Sequence, residues 1–145
     1  MAKVKNTITI HRPIDDVFNF VADYHNNVKW QTGVITAEFT SPGSIRVGTT
    51  YKYDAAFMGR KMETTGELTV YDPPKKIAWK STSGPFPMSG STNFESVGEG
   101  TLVTDIIEAE PGGFFKLAGP LLAKQMESQT GNDMKKLKEN LEKGS

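Results

Sequence analysis

The chain has 145 residues, and its 17 lysines and arginines balance 17 aspartates and glutamates, so the formal net charge is zero. This length predicts one domain with enough buried surface for a core, and the absence of cysteine excludes disulfides, thiolate metal ligands and cysteine nucleophiles. Balanced charge removes the main electrostatic reason to expect nucleic-acid binding. No signal peptide is visible and no apolar run approaches about 18 residues, so we expect a cytoplasmic protein without a transmembrane segment.

The N-terminal part of the chain predicts one strand and two short helices. Residues 4–10 alternate β-branched and polar side chains, which indicates a strand. Pro13 suits the first position of a helix, where a missing N–H costs nothing. A second short helix or turn is expected over residues 26–31, which include Trp30. Between them, apolar residues recur at helical spacing and predict a helix that stops near Asp23: Ile14, Val17, Phe18 and Val21.

The middle of the chain predicts an antiparallel sheet. Six further strands are expected, over residues 34–40, 49–58, 61–70, 76–83, 88–96 and 101–110. Turns rich in glycine and proline separate them at hairpin spacing, so consecutive strands should pair as a meander. Strand alternation groups aromatic and apolar side chains on common faces: Tyr51, Tyr53 and Phe57 on one strand, Ile77 and Trp79 on another.

The C-terminal segment predicts a long amphipathic helix. The mixed charges on most of its surface indicate a solvent-exposed face. Gly119 and Pro120 are expected to kink or restart the helix near its beginning, because proline removes an intrahelical hydrogen bond. One apolar stripe recurs at spacings of three and four: Leu122, Met126, Thr130, Met134, Leu137 and Leu141.

Residues 111–122, which lead into this helix, combine glycines and prolines with large apolar side chains. Three side chains are too apolar to lie in water, so they should fold over the sheet or cap the cavity: Phe114, Phe115 and Leu117. Two interpretations stay open for the segment. It is either a plain helix N-terminus packed into the core, or a hinged gate in which the phenylalanines form the plug and three glycines supply backbone freedom: Gly112, Gly113 and Gly119.

Asp105 is the most informative single residue of the last strand. If Val103 and Ile107 belong to the inward set, alternation turns Asp105 inward too. A buried carboxylate is costly without a partner, a water or a ligand. The opposite register would place Leu102 and Ile106 inside and leave Asp105 in water. In the inward register, Leu102 and Ile106 would instead form an exposed apolar strip suited to a homodimer interface.

Familiar catalytic and metal-binding motifs are missing from the sequence. The two histidines, His11 and His25, have no second ligand at metal-binding spacing. No serine lies in G-x-S-x-G, and there is no G-x-x-x-x-G-K-[ST] phosphate loop. Asp15 and Asp16 are adjacent on a helix and point in different directions, so they do not form an acid–base dyad. We therefore predict that the protein uses no metal and no cofactor. No motif identifies a catalytic residue.

A family resemblance rests on residues 8–23, 48–51, 71–79 and 100–104 and on the long helix that follows them. These segments resemble the START-like (SRPBCC) superfamily and, within it, the polyketide cyclase/dehydrase-like branch. The resemblance implies an α+β helix-grip fold over residues 1–145, one domain in which a bent antiparallel sheet wraps around the C-terminal helix, with two short helices after the first strand. It also implies a hydrophobic cavity between sheet and helix for lipid, polyketide or quinone-like molecules. Asp105 stands where relatives tend to have an apolar residue, which predicts a less apolar pocket.

Three functions are compatible with these observations. The first is binding of a small hydrophobic or amphipathic ligand in the cavity. The second is polyketide cyclase or dehydratase-like catalysis in the same cavity, with Asp105, His25 or a tyrosine as the acid or base. The third is a protein-interaction role. The residues expected to line the site are Trp30, Tyr51, Tyr53, Phe57, Trp79, Thr92, Phe94, Asp105, Phe115, Leu122, Met126 and Thr130.

Overall fold

The computed structural model describes residues 2–57, 59–84, 87–109 and 119–143. Within these residues the strands are β1 (Ala2–Ile10), β2 (Val34–Phe39), β3 (Thr50–Phe57), β4 (Arg60–Asp72), β5 (Lys76–Ser83), β6 (Met88–Val97) and β7 (Gly100–Ala109). The helices are α1 (Ile14–Ala22), a 3₁₀ turn (Tyr24–Asn26), α2 (Asn27–Trp30) and α3 (Gly119–Lys143). The predicted strands are all present, and their ends differ from the prediction by no more than two residues.

All the described strands join one antiparallel sheet, in the order β1-β7-β6-β5-β4-β3-β2. Strands β2 to β7 form the predicted meander, and β1 completes the sheet beside β7, with Ile8 opposite Val103. At the tight turn between β6 and β7, Gly98 has a φ of +59°, a conformation that glycine adopts without strain. The sheet is curled, and α3 lies along its concave face and contacts β1 most extensively.

Helix α1 begins one residue later than the sequence pattern predicts. Pro13 has a φ of −59° and a ψ of 148°, so it precedes the first helical position and does not occupy it. The fixed φ of proline suits both places, which is why the pattern did not distinguish them. Asp15 and Asp16 lie in the first turn, where carboxylates interact favourably with the helix dipole. The buried face of α1 packs on β6 and β7.

The hydrophobic core lies between the inner face of the sheet, α1 and the C-terminal half of α3. Met134, Leu137 and Leu141 of the predicted apolar stripe are all buried there. Phe18 is the largest fully buried side chain, and its ring packs edge-on against that of Phe94, with 5.2 Å between centroids. The stripe of α3 and the buried face of α1 together therefore remove the inner face of the sheet from water.

Polar contacts hold the C-terminal end of α3 against the turn that follows β1. Arg12 donates from Nη1 to the carbonyl oxygen of Leu141 over 2.5 Å. The backbone N–H of His11 donates to Glu142 Oε2 over 2.9 Å. The last carbonyls of a helix lack partners inside the helix, so the guanidinium of Arg12 also satisfies one of these groups.

The described part of α3 is continuous from Gly119 to Lys143, and Pro120 lies in its first described turn. The residues just before Gly119 lie outside the described ones, so the expected kink or restart of the helix stays a prediction. The gate hypothesis for residues 111–122 depends largely on Gly112, Gly113 and the two phenylalanines that follow, which lie outside the described residues. It stays a prediction.

Leu137→Ala should lower the free energy of unfolding by about 2–5 kcal/mol, because this side chain is completely buried between α3 and the sheet. Lys135→Ala, on the exposed face of the same helix, should change it by less than about 0.5 kcal/mol. Urea unfolding followed by circular dichroism measures both effects. Equal losses in the two variants would contradict this orientation of α3.

Candidate ligand cavity

A cavity of about 230 Å³ lies between the concave face of the sheet, the α2 region and the middle of α3. Strands β3 to β7 supply one wall, the residues around α2 a second, and α3 a third. The stripe of α3 presents Met126 and Thr130 here, whereas its C-terminal half carries Met134, Leu137 and Leu141. Thr130 is short, so α3 does not fill the space at this level and a cavity remains.

Eight of the twelve residues expected in the site line this cavity: Trp30, Tyr51, Tyr53, Trp79, Thr92, Asp105, Met126 and Thr130. Phe94 is not on its wall. Its side chain lies beneath α1 against Phe18 and belongs to the core. The side chains of Phe57 and Leu122, and the whole of Phe115, lie outside the described residues, so their contribution stays a prediction.

Two glycines on the inner face of the sheet make room for aromatic rings of the cavity wall. Gly66 of β4 pairs with Tyr51 of β3, and a methyl group at Gly66 would collide with the Tyr51 hydroxyl. A methyl group at Gly90 of β6 would lie 2.7 Å from the ring of Trp79. The missing side chains at these two positions therefore allow both rings to lie close to the sheet.

Tyr24, Tyr51 and Tyr53 form an aromatic cluster on the wall. The ring centroids of Tyr24 and Tyr51 are 5.1 Å apart in an edge-to-face arrangement, and those of Tyr51 and Tyr53 are 6.3 Å apart. Burial raises the pKa of all three hydroxyls, and the charge of Asp105 raises the pKa of Tyr24 further. The hydroxyls are therefore neutral near pH 7 and can donate or accept hydrogen bonds. Tyr24 was not predicted from the sequence, because a 3₁₀ turn has no periodicity that shows which side chain points inward.

Asp105 faces the cavity, as the inward register predicts. It is 8% exposed, and Val103 on the same face of β7 is completely buried. The Thr92 hydroxyl donates to Asp105 Oδ1 over 3.0 Å. Burial raises the pKa of Asp105 to about 6, although the hydrogen bond from Thr92 opposes this shift. On the opposite face of β7, Leu102 and Ile106 are half-buried, and their role in a homodimer stays a prediction.

A second buried carboxylate, Asp133, reaches the cavity from α3. It accepts hydrogen bonds from the backbone N–H and the hydroxyl of Thr32, over 2.9 and 2.5 Å. Burial raises the pKa of Asp133, whereas the bonds from Thr32 and the charge of Lys136 lower it. These contacts join the loop after α2 to α3. Asp133 was not predicted from the sequence, although its spacing of three from Thr130 is the signal that would have placed it on the inward face.

Two buried polar atoms of residues that line the cavity have no hydrogen-bond partner within the described residues. They are Oδ1 of Asn27, an acceptor, and Nε1 of Trp30, a donor. Both residues belong to α2. A buried polar group without a partner costs about 1–3 kcal/mol, and neither atom is exposed to the cavity itself.

Neither histidine is part of the described cavity wall. His25 is exposed, with its Nδ1 2.8 Å from Asp23 Oδ1, and His11 is exposed in the turn after β1. In the part of the chain that the structure describes, no three His, Cys, Asp or Glu side chains are grouped to hold a metal ion. None of the described helices combines the length and the apolar character needed to cross a membrane.

Several solved structures share this architecture. A protein of Thermus thermophilus superposes with a TM-score of 0.85 at 23% sequence identity, over 99% of each chain. A START superfamily protein from Mycobacterium smegmatis gives 0.85 at 14% identity over 100% of each chain. The Zhui aromatase/cyclase of a Streptomyces species gives 0.77 at 17% identity, over 97% of this chain and 93% of that one. A curled sheet closed by a long C-terminal helix is thus the helix-grip fold of START-like proteins.

The sequence also matches a family model, described as polyketide cyclase / dehydrase and lipid transport, over residues 1–142. The chain therefore belongs to this family, and the resemblance noted from the sequence is confirmed. No curated protein has significant sequence similarity to the chain.

Asp105→Asn should stabilise the protein at neutral pH. Because burial raises the folded-state pKa from 3.8 to about 6, the wild type should lose stability as the pH rises through this interval. Above about pH 7 the variant should exceed it by about 1–3 kcal/mol in free energy of unfolding, and near pH 4 the two should be similar. Urea unfolding at both pH values measures the difference. Asp15→Asn, which removes an exposed carboxylate, is the control, and an equal gain there would contradict the assignment.

Proposed function

We propose that this protein binds a small hydrophobic or amphipathic molecule in the cavity between the sheet and α3. The observation that carries this proposal is the cavity of about 230 Å³, whose wall is mostly apolar and aromatic with a few polar groups. Such a wall provides binding energy through the burial of apolar surface, and orientation through its polar groups. Protein interiors that serve stability alone are close-packed, with few voids larger than a water molecule.

The polar groups of the wall support a binding role because they are unfavourable for stability when nothing binds. Asp105 keeps a carboxyl group in surroundings that raise its pKa. Sequences depart from a well-satisfied interior mainly at functional sites, so Asp105 points to a ligand that interacts with it.

The family supports a ligand cavity without naming the ligand. Its description covers polyketide cyclases and dehydrases as well as lipid transport, and one structural relative is an aromatase/cyclase. Enzymes and carriers of this kind both need an enclosed apolar space. Ligand binding is therefore the common element, and catalysis is the alternative that one residue of this chain favours.

Thr130→Phe should weaken binding of 2-acetyl-6-(dimethylamino)naphthalene, a neutral two-ring dye whose fluorescence rises in apolar surroundings, by at least about tenfold. The reason is that Thr130 is on the cavity wall, where a phenyl ring would occupy the space. Ser128→Phe adds the same side chain to the exposed face of α3 and should keep the wild-type affinity. Fluorescence titration gives the affinities, and circular dichroism checks that both variants fold. Equal affinities, or no dye binding by the wild type, would argue against the proposal.

Acid–base catalysis in the same cavity is the second candidate function, and Asp105 is the observation that favours it. A carboxyl group with a pKa of about 6 can both donate and accept a proton near neutral pH. The Tyr24 hydroxyl is close enough for the charge of Asp105 to raise its pKa. These groups suit a cyclase or dehydratase reaction, in which proton transfer and substrate shape supply the catalysis.

If the protein is such an enzyme, Asp105→Asn should lower kcat on a poly-β-ketone thioester by about 10²–10⁴-fold, because the amide cannot transfer the proton. Dye binding should persist in this variant. His25→Ala should retain full turnover, since His25 is exposed and not part of the described cavity wall. Product formation followed by mass spectrometry measures both. Unchanged kcat in Asp105→Asn would reject Asp105 as the acid or base.

A further inference from the structure

The charged side chains on the cavity wall are all negative in the part of the chain that the structure describes. Asp105 reaches the cavity from β7 and Asp133 from α3, and no described lysine, arginine or histidine lines it. Lys136 donates to the Thr32 hydroxyl over 3.3 Å and is not on the wall. An anion that entered this space would meet carboxylates in surroundings where repulsion is poorly screened. The wall therefore disfavours carboxylate, phosphate and sulfate groups.

The two carboxylates differ in how much of their hydrogen-bonding capacity the protein uses. Asp133 accepts two hydrogen bonds from Thr32. Asp105 accepts one, from Thr92 to Oδ1, and its Oδ2 accepts none from the described residues. A ligand that satisfies Oδ2 of Asp105 must therefore bring a hydrogen-bond donor.

The size and the aromatic lining of the cavity limit the rest of the ligand. A cavity of about 150 Å³ in another protein binds benzene, so the volume of about 230 Å³ found here corresponds to one or two rings. The rings of Tyr24, Tyr51 and Trp79 lie on the wall. They favour a planar aromatic partner, which packs on them face-to-face with an offset or edge-on.

We propose that the ligand is a neutral or cationic aromatic compound of one or two rings, with a hydroxyl or amino group that donates a hydrogen bond to Asp105, and that the cavity rejects carboxylates of the same size. This inference rests on the proposed ligand-binding function and narrows it. Free fatty acids carry the wrong charge for this wall. Simple quinones have acceptors only, and they would leave Asp105 Oδ2 unpaired.

Three naphthalene derivatives of matched size test this inference by isothermal titration calorimetry at pH 7.5. 2-Naphthol is neutral and has a donor, 2-methoxynaphthalene has the same oxygen without the donor, and 2-naphthoate is an anion. We expect the wild type to bind 2-naphthol at least about tenfold more tightly than either of the others, which is the effect of one hydrogen bond to a charged group.

Asp105→Asn provides the second arm. Thr92 would still donate to the remaining oxygen, so the amide NH₂ would replace Oδ2 and present donors where the wild type presents an acceptor. The advantage of 2-naphthol over 2-methoxynaphthalene should disappear, and binding of 2-naphthoate should improve by about tenfold. Asp15→Asn makes the same chemical change at an exposed position and should preserve the wild-type order of affinities.

The outcomes separate this inference from the function on which it rests. If the wild type binds 2-naphthoate or 2-methoxynaphthalene as tightly as 2-naphthol, the proposed ligand class is wrong and ligand binding stands. If Asp105→Asn keeps the wild-type order, Asp105 does not select the ligand. If the wild type binds none of the three compounds and not the neutral dye, the ligand-binding function fails and this inference fails with it.

Discussion

Helix α3 packs against the inner face of the curled sheet and shields it from water. Both the core and the cavity follow from how this helix fills the concave space. Met134, Leu137 and Leu141 fill it at one end. Thr130 and Met126 do not fill it at the other, where the cavity lies. Hydrogen bonds from the turn after β1 and from the loop after α2 attach to the same helix. One amphipathic helix therefore provides stability over part of its length and a binding site over the rest.

The cavity wall combines features that oppose each other energetically. Its tyrosine and tryptophan rings are apolar and exclude water, and this exclusion raises the pKa of Asp105. The same exclusion strengthens any hydrogen bond that a ligand makes with that carboxylate, because the effective dielectric constant is low. Asp105 thus lowers the stability of the ligand-free protein at neutral pH. The same carboxylate is well suited to recognise a ligand, and to transfer a proton if the ligand is a substrate.

Much of the fold and part of the site could be predicted from local patterns. Strand alternation put Tyr51 and Tyr53 on one face and left two registers open for Asp105, and the structure places all three on the cavity wall. Phe94 was expected in the site, but its place along β6 puts it beneath α1 and so in the core. Asp133 was missed because, in the sequence, a carboxylate on a charged helix looks like a solvent-exposed residue. It is buried because the loop that contains Thr32 packs against it in the folded protein.

The sequence by itself determined the order of strands and helices and the antiparallel meander, and it limited each strand to two alternating sets of side chains, because alternation and helical spacing are local properties of the chain. Only the tertiary structure decided which inward side chains meet each other and which face open space. That outcome depends on the distance between α3 and the sheet, and on Gly66 and Gly90, where missing side chains leave room for aromatic rings. It depends as well on contacts between residues far apart in the chain, such as Thr32 with Asp133, which no local pattern contains.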